Sequence, residues 1–298
     1  MPLLSVVVPV ELTVQVSEQT LLSLLGQLPD ESELILVGLT SCGNAIPDIP
    51  DRLRQQKQVR WVTSVPNLAS AYEVGRLNAR GRYLLYLDSI ATQNTLHLRE
   101  NCRYLDAHLE CDAVAAPGSV FDFSELLINP DASIHGWVLR RARWDLLGPW
   151  FSSPIATSWE YLIRALTQEF VVVASPLSEN STIKQTAWQS RRLYDQSAVT
   201  DYLHALAIQS GRVVEAVDTY LSTKSAQARP DRQALSQLLF RYSCACGRHH
   251  MPSEARAFLS MSIQINERKT VQHRAYIKLV KLFGWSGAVR LLSQFNLN

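Results

Sequence analysis

Apolar, β-branched runs alternate with helically spaced leucines through the first part of the chain. "LLSVVVPV" (Leu3–Val10) is continuously apolar, the pattern of a strand covered on both faces in a parallel sheet. "SEQTLLSLLGQL" follows, with leucines at helical spacing and Ser17 placed to cap its start. "ELILVGL" (Glu33–Leu39) and "VRWVT" (Val59–Thr63) predict strands. "LASAYEVGRLNARG" predicts a helix that stops near Gly81, and the run Arg82–Leu87 predicts another strand. Beyond it, "TLHLRENCRYLDAHL" predicts a helix, and "CDAVAAPGSVFDF" and "ASIHGWVL" predict strands. "RRARWDLLG" predicts a short helix stopped by Gly148-Pro149, "SWEYLIRALTQ" an amphipathic helix and "FVVVASPL" a strand. Strand–helix alternation of this kind implies a doubly wound, mainly parallel sheet with right-handed crossovers. Ligands of such sheets sit at the C-terminal strand ends. Glu11, the loop after Leu39 and Asp88 occupy such ends.

From about Gln189 strand signals stop and the chain reads as helical. Two domains are therefore expected, residues 1–188 and 189–298. In the second, three segments share a small-residue helix, a Gly turn and a helix opening on alanine: "ALAIQSGRVVEAVDTYL", "SCACGRHHMPSEARAFL" and "KLVKLFGWSGAVRLL". Their marker residues Ala216, Ala255 and Ala288 are separated by 39 and 33 positions. Tetratricopeptide-like hairpins repeat at roughly 34 residues. An irregular bundle is the other reading of the same pattern. Either helical surface is of a kind that binds protein segments or docks subunits.

Composition narrows the function classes. The chain has 298 residues, 19% charged, with a formal net charge of +2. That balance argues against a dedicated nucleic-acid or membrane-surface binder, though it leaves room for a local basic patch. Five cysteines at irregular spacing suit buried thiols in a reducing compartment rather than a disulfide framework. The opening "MPLLSVVVPVEL" lacks a basic leader, meets Glu11 early and is too short to span a bilayer. The expectation is a cytoplasmic protein with no membrane span. "CACGRHH" sets Cys244, Cys246, His249 and His250 close together, but Cys244 and Cys246 fall on different faces of a helix and the spacing matches no zinc pattern.

The order of segments resembles a family 2 glycosyltransferase with the GT-A nucleotide-diphospho-sugar transferase fold. "LLSVVVPV" resembles the opening strand with its proline, here Pro9. "LLSLLGQLPDESELILVG" resembles the helix and second strand. "ARGRYLLYLDS" resembles the signature A-x-G-x-Y-hydrophobic-x-x-L-D. "LRRARWDLLGPWFSSPIATSWEYLIRAL" resembles the acceptor-side segment R-R-x-x-x-x-x-x-G-x-F … E-D-x-x-x-x-x-R. The likeness runs from about Leu3 to Leu177. It implies a Rossmann-like mixed sheet flanked by helices, and the helical tail resembles extensions that follow such domains. It also implies sugar transfer from a nucleotide-diphosphate donor to a hydroxyl acceptor. A carboxylate after the second strand grips the base, an Asp-x-Asp cluster holds a divalent cation on the diphosphate, and an Asp of the E-D pair acts as base.

Several of these acids are missing. After the second strand the chain reads Gly38-Leu39-Thr40-Ser41. At the metal cluster it reads Asp88-Ser89-Ile90, and isoleucine offers no oxygen to Mg²⁺ or Mn²⁺. At the E-D pair it reads Thr157-Ser158, and a hydroxyl is a poor base at neutral pH. Glu160 is the remaining candidate base; the competing reading pairs it with Arg164 at i+4. "SENSTIKQTAWQ" has no histidine to complete a metal site. A degenerate glycosyltransferase-like domain is therefore expected, a non-catalytic binding or assembly module being the alternative. No metal ligand set is expected; Mn²⁺ or Mg²⁺ enters only if Asp88 suffices with other ligands. A metal-free enzyme would need cations around the diphosphate, for which Lys184, Arg191 and Arg192 are candidates. Pro9, Glu11, Asp88, Ser89 and Arg141 are expected on the nucleotide-sugar side. Asp88 and Ser89 read equally as turn residues, and Arg140, Arg141 and Arg143 as an exposed helix face. Trp150 and Trp159 are acceptor-stacking candidates or local core. Expected partners are a nucleotide-diphosphate sugar or glycan, and a protein bound through the helical region.

Overall fold

A computed structural model describes residues 2–11, 18–39, 51–87, 97–117, 119–151, 157–175, 196–224, 228–267 and 269–294. The first unit comprises Met1–Phe121 and Ala132–Thr186, and the second Asp122–Asp131 and Ala187–Asn298.

In the first unit the apolar runs become the strands that their composition requires. They are β1 (Leu4–Glu11), β2 (Glu33–Leu39), β3 (Val59–Ser64), β4 (Tyr83–Tyr86), β5 (Ala113–Ala115), β6 (Val138–Arg140) and β7 (Val172–Ala174). Among the described residues they form one sheet in the order β3-β2-β1-β4-β6-β5-β7. Only β6 runs antiparallel to its neighbours, so the sheet is mixed and mainly parallel. The helices are α1 (Glu18–Gln27), α2 (Asp51–Arg54), α3 (Leu68–Asn78), α4 (Leu98–Ala107), α6 (Arg141–Asp145) and α7 (Thr157–Thr167); α5 (Phe123–Leu127) belongs to the second unit.

Alternation along the strands separates two apolar layers. Leu4, Val6 and Val8 of β1 join Leu34 and Leu36 of β2, Tyr83 and Leu85 of β4, and Leu21, Leu24, Leu98 and Leu105 from α1 and α4. The other face of β1 meets α3 so closely that a Cβ on Gly75 would lie 2.2 Å from Val7 Cγ1. Asn67 caps α3, its side chain accepting from Ser70 N at 3.1 Å.

Gly81 explains the glycine of "ARGRYLLYLD". A Cβ there would lie 2.6 Å from the backbone nitrogen of Ser5, so only glycine lets the turn into β4 lie against β1. Its N–H donates to Ser5 Oγ at 2.7 Å, and Ser5 Oγ donates to the buried Glu33 carboxylate at 2.6 Å. Glu33 also accepts from Arg80 N at 2.6 Å and pairs with Arg60 at 3.2 Å. These bonds tie the N-terminal ends of β1, β2 and β4 together, opposite the ends where a ligand would sit.

Two expectations for the sheet are corrected. "ASIHGWVL" contributes only Val138 and Leu139 to a strand. Gly136 adopts φ 80° and its N–H donates to Tyr86 O at 3.0 Å, so the chain turns against β4 before pairing with it. "VFDF" ends in α5 rather than in a strand, because Asp122 caps that helix by accepting from Glu125 N at 3.1 Å.

The second unit contains α5, α8 (Gln196–Ser222), α9 (Ala228–Arg248), α10 (Pro252–Ile265) and α11 (Val271–Gln294). Of the glycines in the repeat pattern, Gly284 interrupts α11 with φ 68° and ψ 177°. Gly247 lies in α9, which ends at the next residue, Arg248. Gly211 instead lies inside the continuous helix α8, where its missing side chain leaves Met261 Sδ 4.0 Å from the Cβ position. Among the described residues no helix is long and apolar enough to cross a membrane.

Candidate functional site

β1 and β2 end in register, Glu11 opposite Leu39, and β4 runs beside Val7 up to Tyr86. Leu87 N donates to Val7 O at 3.0 Å, so the chain runs along β1 to the last described residue before Asp88. Asp88, Ser89 and Ile90 lie outside the described residues, as do Ser17, Thr40, Ser41, Lys184, Arg191 and Arg192. Pro9 is in β1 opposite Val37, and the backbone of Glu11 ends that strand.

The described part of the region is an aromatic cluster assembled from α3, the end of β4, α6 and α7. Trp150 lies parallel to Tyr161 of α7, ring centroids 3.9 Å apart and planes at 12°. Its indole N–H donates to Tyr86 Oη at 3.0 Å. Tyr72 of α3 packs edge-on against Tyr86 at 5.0 Å and tilted against Trp150 at 5.0 Å, and its hydroxyl bonds His135 Nε2. Aromatic rings at these separations add specific geometry to their burial. Trp150 is thus fixed to the residue that ends β4, two positions before Asp88.

Charged groups rim this cluster. Arg76 pairs with Glu73 at 2.7 Å and with Asp145 at 2.8 Å, and Trp150 N donates to Glu73 at 3.2 Å. The hydrogen bonds that the Arg76 guanidinium donates to Glu73 and Asp145 hold it above its ordinary pKa against the opposing effect of burial. Burial pushes the Tyr86 and Tyr161 phenols up as well, so both stay neutral. Among the described residues the buried Tyr161 hydroxyl has no hydrogen-bond partner.

Glu160 is 3% exposed. Arg164 grips it in a two-point fork, Nε to Oε1 at 2.9 Å and Nη2 to Oε2 at 3.2 Å. The same guanidinium donates to Leu147 O at 2.6 Å and Pro149 O at 2.9 Å. Glu160 therefore anchors the loop before α7 through Arg164.

The three arginines of "RRAR" are committed to the fold. Arg140 donates to the carbonyls of Cys111, Leu105 and His108, and Arg141 to Gly81 O at 2.6 Å and Asp145 at 3.1 Å. Arg143 pairs with Asp112 at 3.3 Å and lies over Phe170. Trp159 is fully buried and Trp150 is 5% exposed, so neither presents an open ring face. The structure thus brings together Trp150, Glu160 and Arg141 around α6 and α7.

Sequence reasoning passed over Tyr72, Glu73, Arg76, Tyr86, Asp145 and Tyr161. A signal was present for Tyr86: a phenol at the end of a buried apolar strand requires a partner. For the others, separated by up to 89 positions, the sequence holds no local signal. Among the described residues no group of His, Cys, Asp and Glu is arranged to hold a metal. Cys244 and Cys246 are buried thiols, pushed up to about 11 and about 12 by burial.

No family model matches the sequence, and no curated protein matches it. Among solved structures, the chain is similar to the crystal structure of S. aureus TarS 1–349 in complex with UDP-GlcNAc. The TM-score is 0.63 at 13% identity, covering 99% of this chain and 92% of that one. A second crystal structure of S. aureus TarS 1–349 gives a TM-score of 0.64 at 13% identity, covering 99% and 91%. At this identity the likeness concerns the fold. The seven-stranded mixed sheet flanked by helices, followed by a helical region, is the GT-A fold that the order of motifs implies.

Proposed function

We propose that the first unit is a glycosyltransferase-like domain of family 2 type. It binds a nucleotide-diphosphate sugar at the C-terminal ends of β1, β2 and β4, and has given up metal-dependent transfer. The observation that carries this reading is Glu160. On a GT-A scaffold it is the only carboxylate of α7, and Arg164 holds it as a structural anchor. A carboxylate so engaged is poorly placed to accept an acceptor proton. Thr157 and Ser158, where the resemblance puts the base, supply hydroxyls alone.

The donor set at the strand end supports the same conclusion. A divalent cation on a diphosphate wants several hard oxygen ligands, and Asp88-Ser89-Ile90 offers one carboxylate. These residues do not fit the ion, and no step of the function runs through it. Asp88 is then a ligand for the nucleotide or sugar hydroxyls. The packed cluster of Trp150, Tyr161, Tyr86 and Tyr72 at the end of β4 suits a binding or assembly role.

Thermal shift with UDP-, GDP- and dTDP-sugars, UDP-GlcNAc first, tests the reading with and without Mn²⁺. A donor at a hundredfold its Kd stabilises by about 2.7 kcal/mol, roughly 5–10 °C for a unit of this size. The expected result is such a shift for one donor class, equal with and without Mn²⁺ and lost in Asp88→Ala. A shift that needs Mn²⁺ overturns the loss of metal chemistry. No shift with any donor overturns donor binding.

A further inference from the structure

The overall charge of +2 conceals a strong local asymmetry. From Arg268 to Asn298 the sequence carries six basic residues (Arg268, Lys269, Arg274, Lys278, Lys281 and Arg290) and no Asp or Glu, so the rest of the chain is net acidic. In α11, Arg274, Lys278 and Lys281 are exposed and no carboxylate pairs with them among the described residues. Val271, Arg274, Lys278 and Leu282 follow helical spacing along one face, with Lys281 beside them. The opposite face holds Tyr276 at 0% exposure and His273 at 1%. The outer face is apolar as well as basic: Val271 is 82% exposed and Leu282 73%, and Phe283, 57% exposed, lies about 100° round the helix from Leu282 at its end. Gly284, with φ 68°, ends this first half of α11 directly after Phe283. Between Val271 and Leu282 the face runs about 16 Å along the helix.

We propose that this face of α11 docks on an anionic lipid surface. Unpaired, long basic side chains set beside exposed Leu, Phe and Val are the chemistry of a helix lying in a headgroup layer, the cations on lipid phosphates and the apolar groups at the acyl boundary. A nucleic acid would use the cations, and a single strand could stack a base on Phe283, but it offers Val271 and Leu282 no apolar layer to enter. The missing carboxylates keep the face free of repulsion from lipid phosphate. This docking does not depend on donor binding in the first unit.

Flotation of the full chain with vesicles tests the proposal. Phosphatidylcholine vesicles containing phosphatidylglycerol are compared with phosphatidylcholine alone. Binding to the anionic vesicles only, weakened by added salt, is expected. Arg274→Gln/Lys278→Gln/Lys281→Gln is expected to weaken it about 100-fold. Leu282→Gln/Phe283→Gln is expected to weaken it at least tenfold. All these positions are exposed, and unchanged circular-dichroism melts confirm that the variants fold. Equal binding to both vesicle types, or to neither, overturns the proposal. So does a Leu282→Gln/Phe283→Gln variant that binds anionic vesicles and heparin as well as the unaltered chain does, because that marks a general polyanion patch.

Discussion

Glu160 shows how a single side chain changes meaning between sequence and structure. As a letter it is the one acid near the start of α7 that might replace a missing base. As a structure it is a nearly buried carboxylate whose two oxygens are both taken by Arg164. Removing one partner from a buried pair costs about 3–5 kcal/mol, chiefly because the other charge is left uncompensated. Glu160→Gln keeps one acceptor, so about 3 kcal/mol is expected, read as a lowered midpoint in urea unfolding. Donor stabilisation measured below that midpoint is expected to stay unchanged. A variant that keeps full stability but loses a sugar-transfer activity would return Glu160 to the role of base. The i+4 pairing was legible in the sequence; the depth of burial was not, because it depends on Leu147 and Pro149 folding back over Arg164. Gly81 was visible as part of a signature, and its clash with β1 supplies the physical reason for it.

At the level of elements, β1 to β4 were legible because each is an uninterrupted apolar run, and α3, α4 and α7 because their apolar positions recur at helical spacing. What was missed depends on partners distant in the chain. Gly211 reads as a turn, yet α8 passes through it: a glycine in a helix interior costs about 1 kcal/mol, offset here by packing of α8 against α10. The start of α11 hides another device. Thr270 Oγ1 accepts from His273 N at 3.2 Å, and His273 Nδ1 accepts from Thr270 N at 3.1 Å. This is a capping box with histidine in the place of glutamate. Nε2 then carries the proton and meets Ser262 Oγ at 2.8 Å. Burial lowers the His273 pKa below its ordinary 6.5. A folded pKa below the unfolded one gives stability that is complete above about pH 6.5 and declines as pH falls toward the folded pKa. Protonation also sets an N–H against the Thr270 N–H. Urea unfolding followed by helical circular dichroism is expected to show this acid-side loss. His273→Gln, which retains the acceptor without the titration, is expected to flatten it. An unchanged pH profile in that variant would assign the loss to another group.

For the whole molecule, the fold is the GT-A fold, and in the proposed function the residues of standard transfer have been given up. The chain has Gly81 against β1, the Tyr83 hydroxyl donating to Asp106 at 2.6 Å, and Arg141 of α6 donating to Gly81 O. These are the parts of the motifs that hold strands together, and none of them contributes an acid to chemistry. The positions that differ from the resembled motifs, at Thr40-Ser41, Ile90 and Thr157-Ser158, follow β2 and β4 in the sequence or open α7, where Thr157 is 5% exposed. The proposed loss is testable by restoration. Ile90→Asp rebuilds the Asp-x-Asp spacing after β4 with one substitution. If metal chemistry was lost at that position, the variant gains an Mn²⁺-dependent component in its stabilisation by a nucleotide diphosphate, which the unaltered chain lacks. Two carboxylates brought to one strand end without a cation repel each other, so the variant is also expected to be less stable in chelator than in Mn²⁺. Titration calorimetry with UDP and GDP, in Mn²⁺ and in chelator, reads both effects. Nucleotide binding that remains indifferent to Mn²⁺ in Ile90→Asp would show that position 90 is not where the second ligand was lost, and would move the search to the residues after β2.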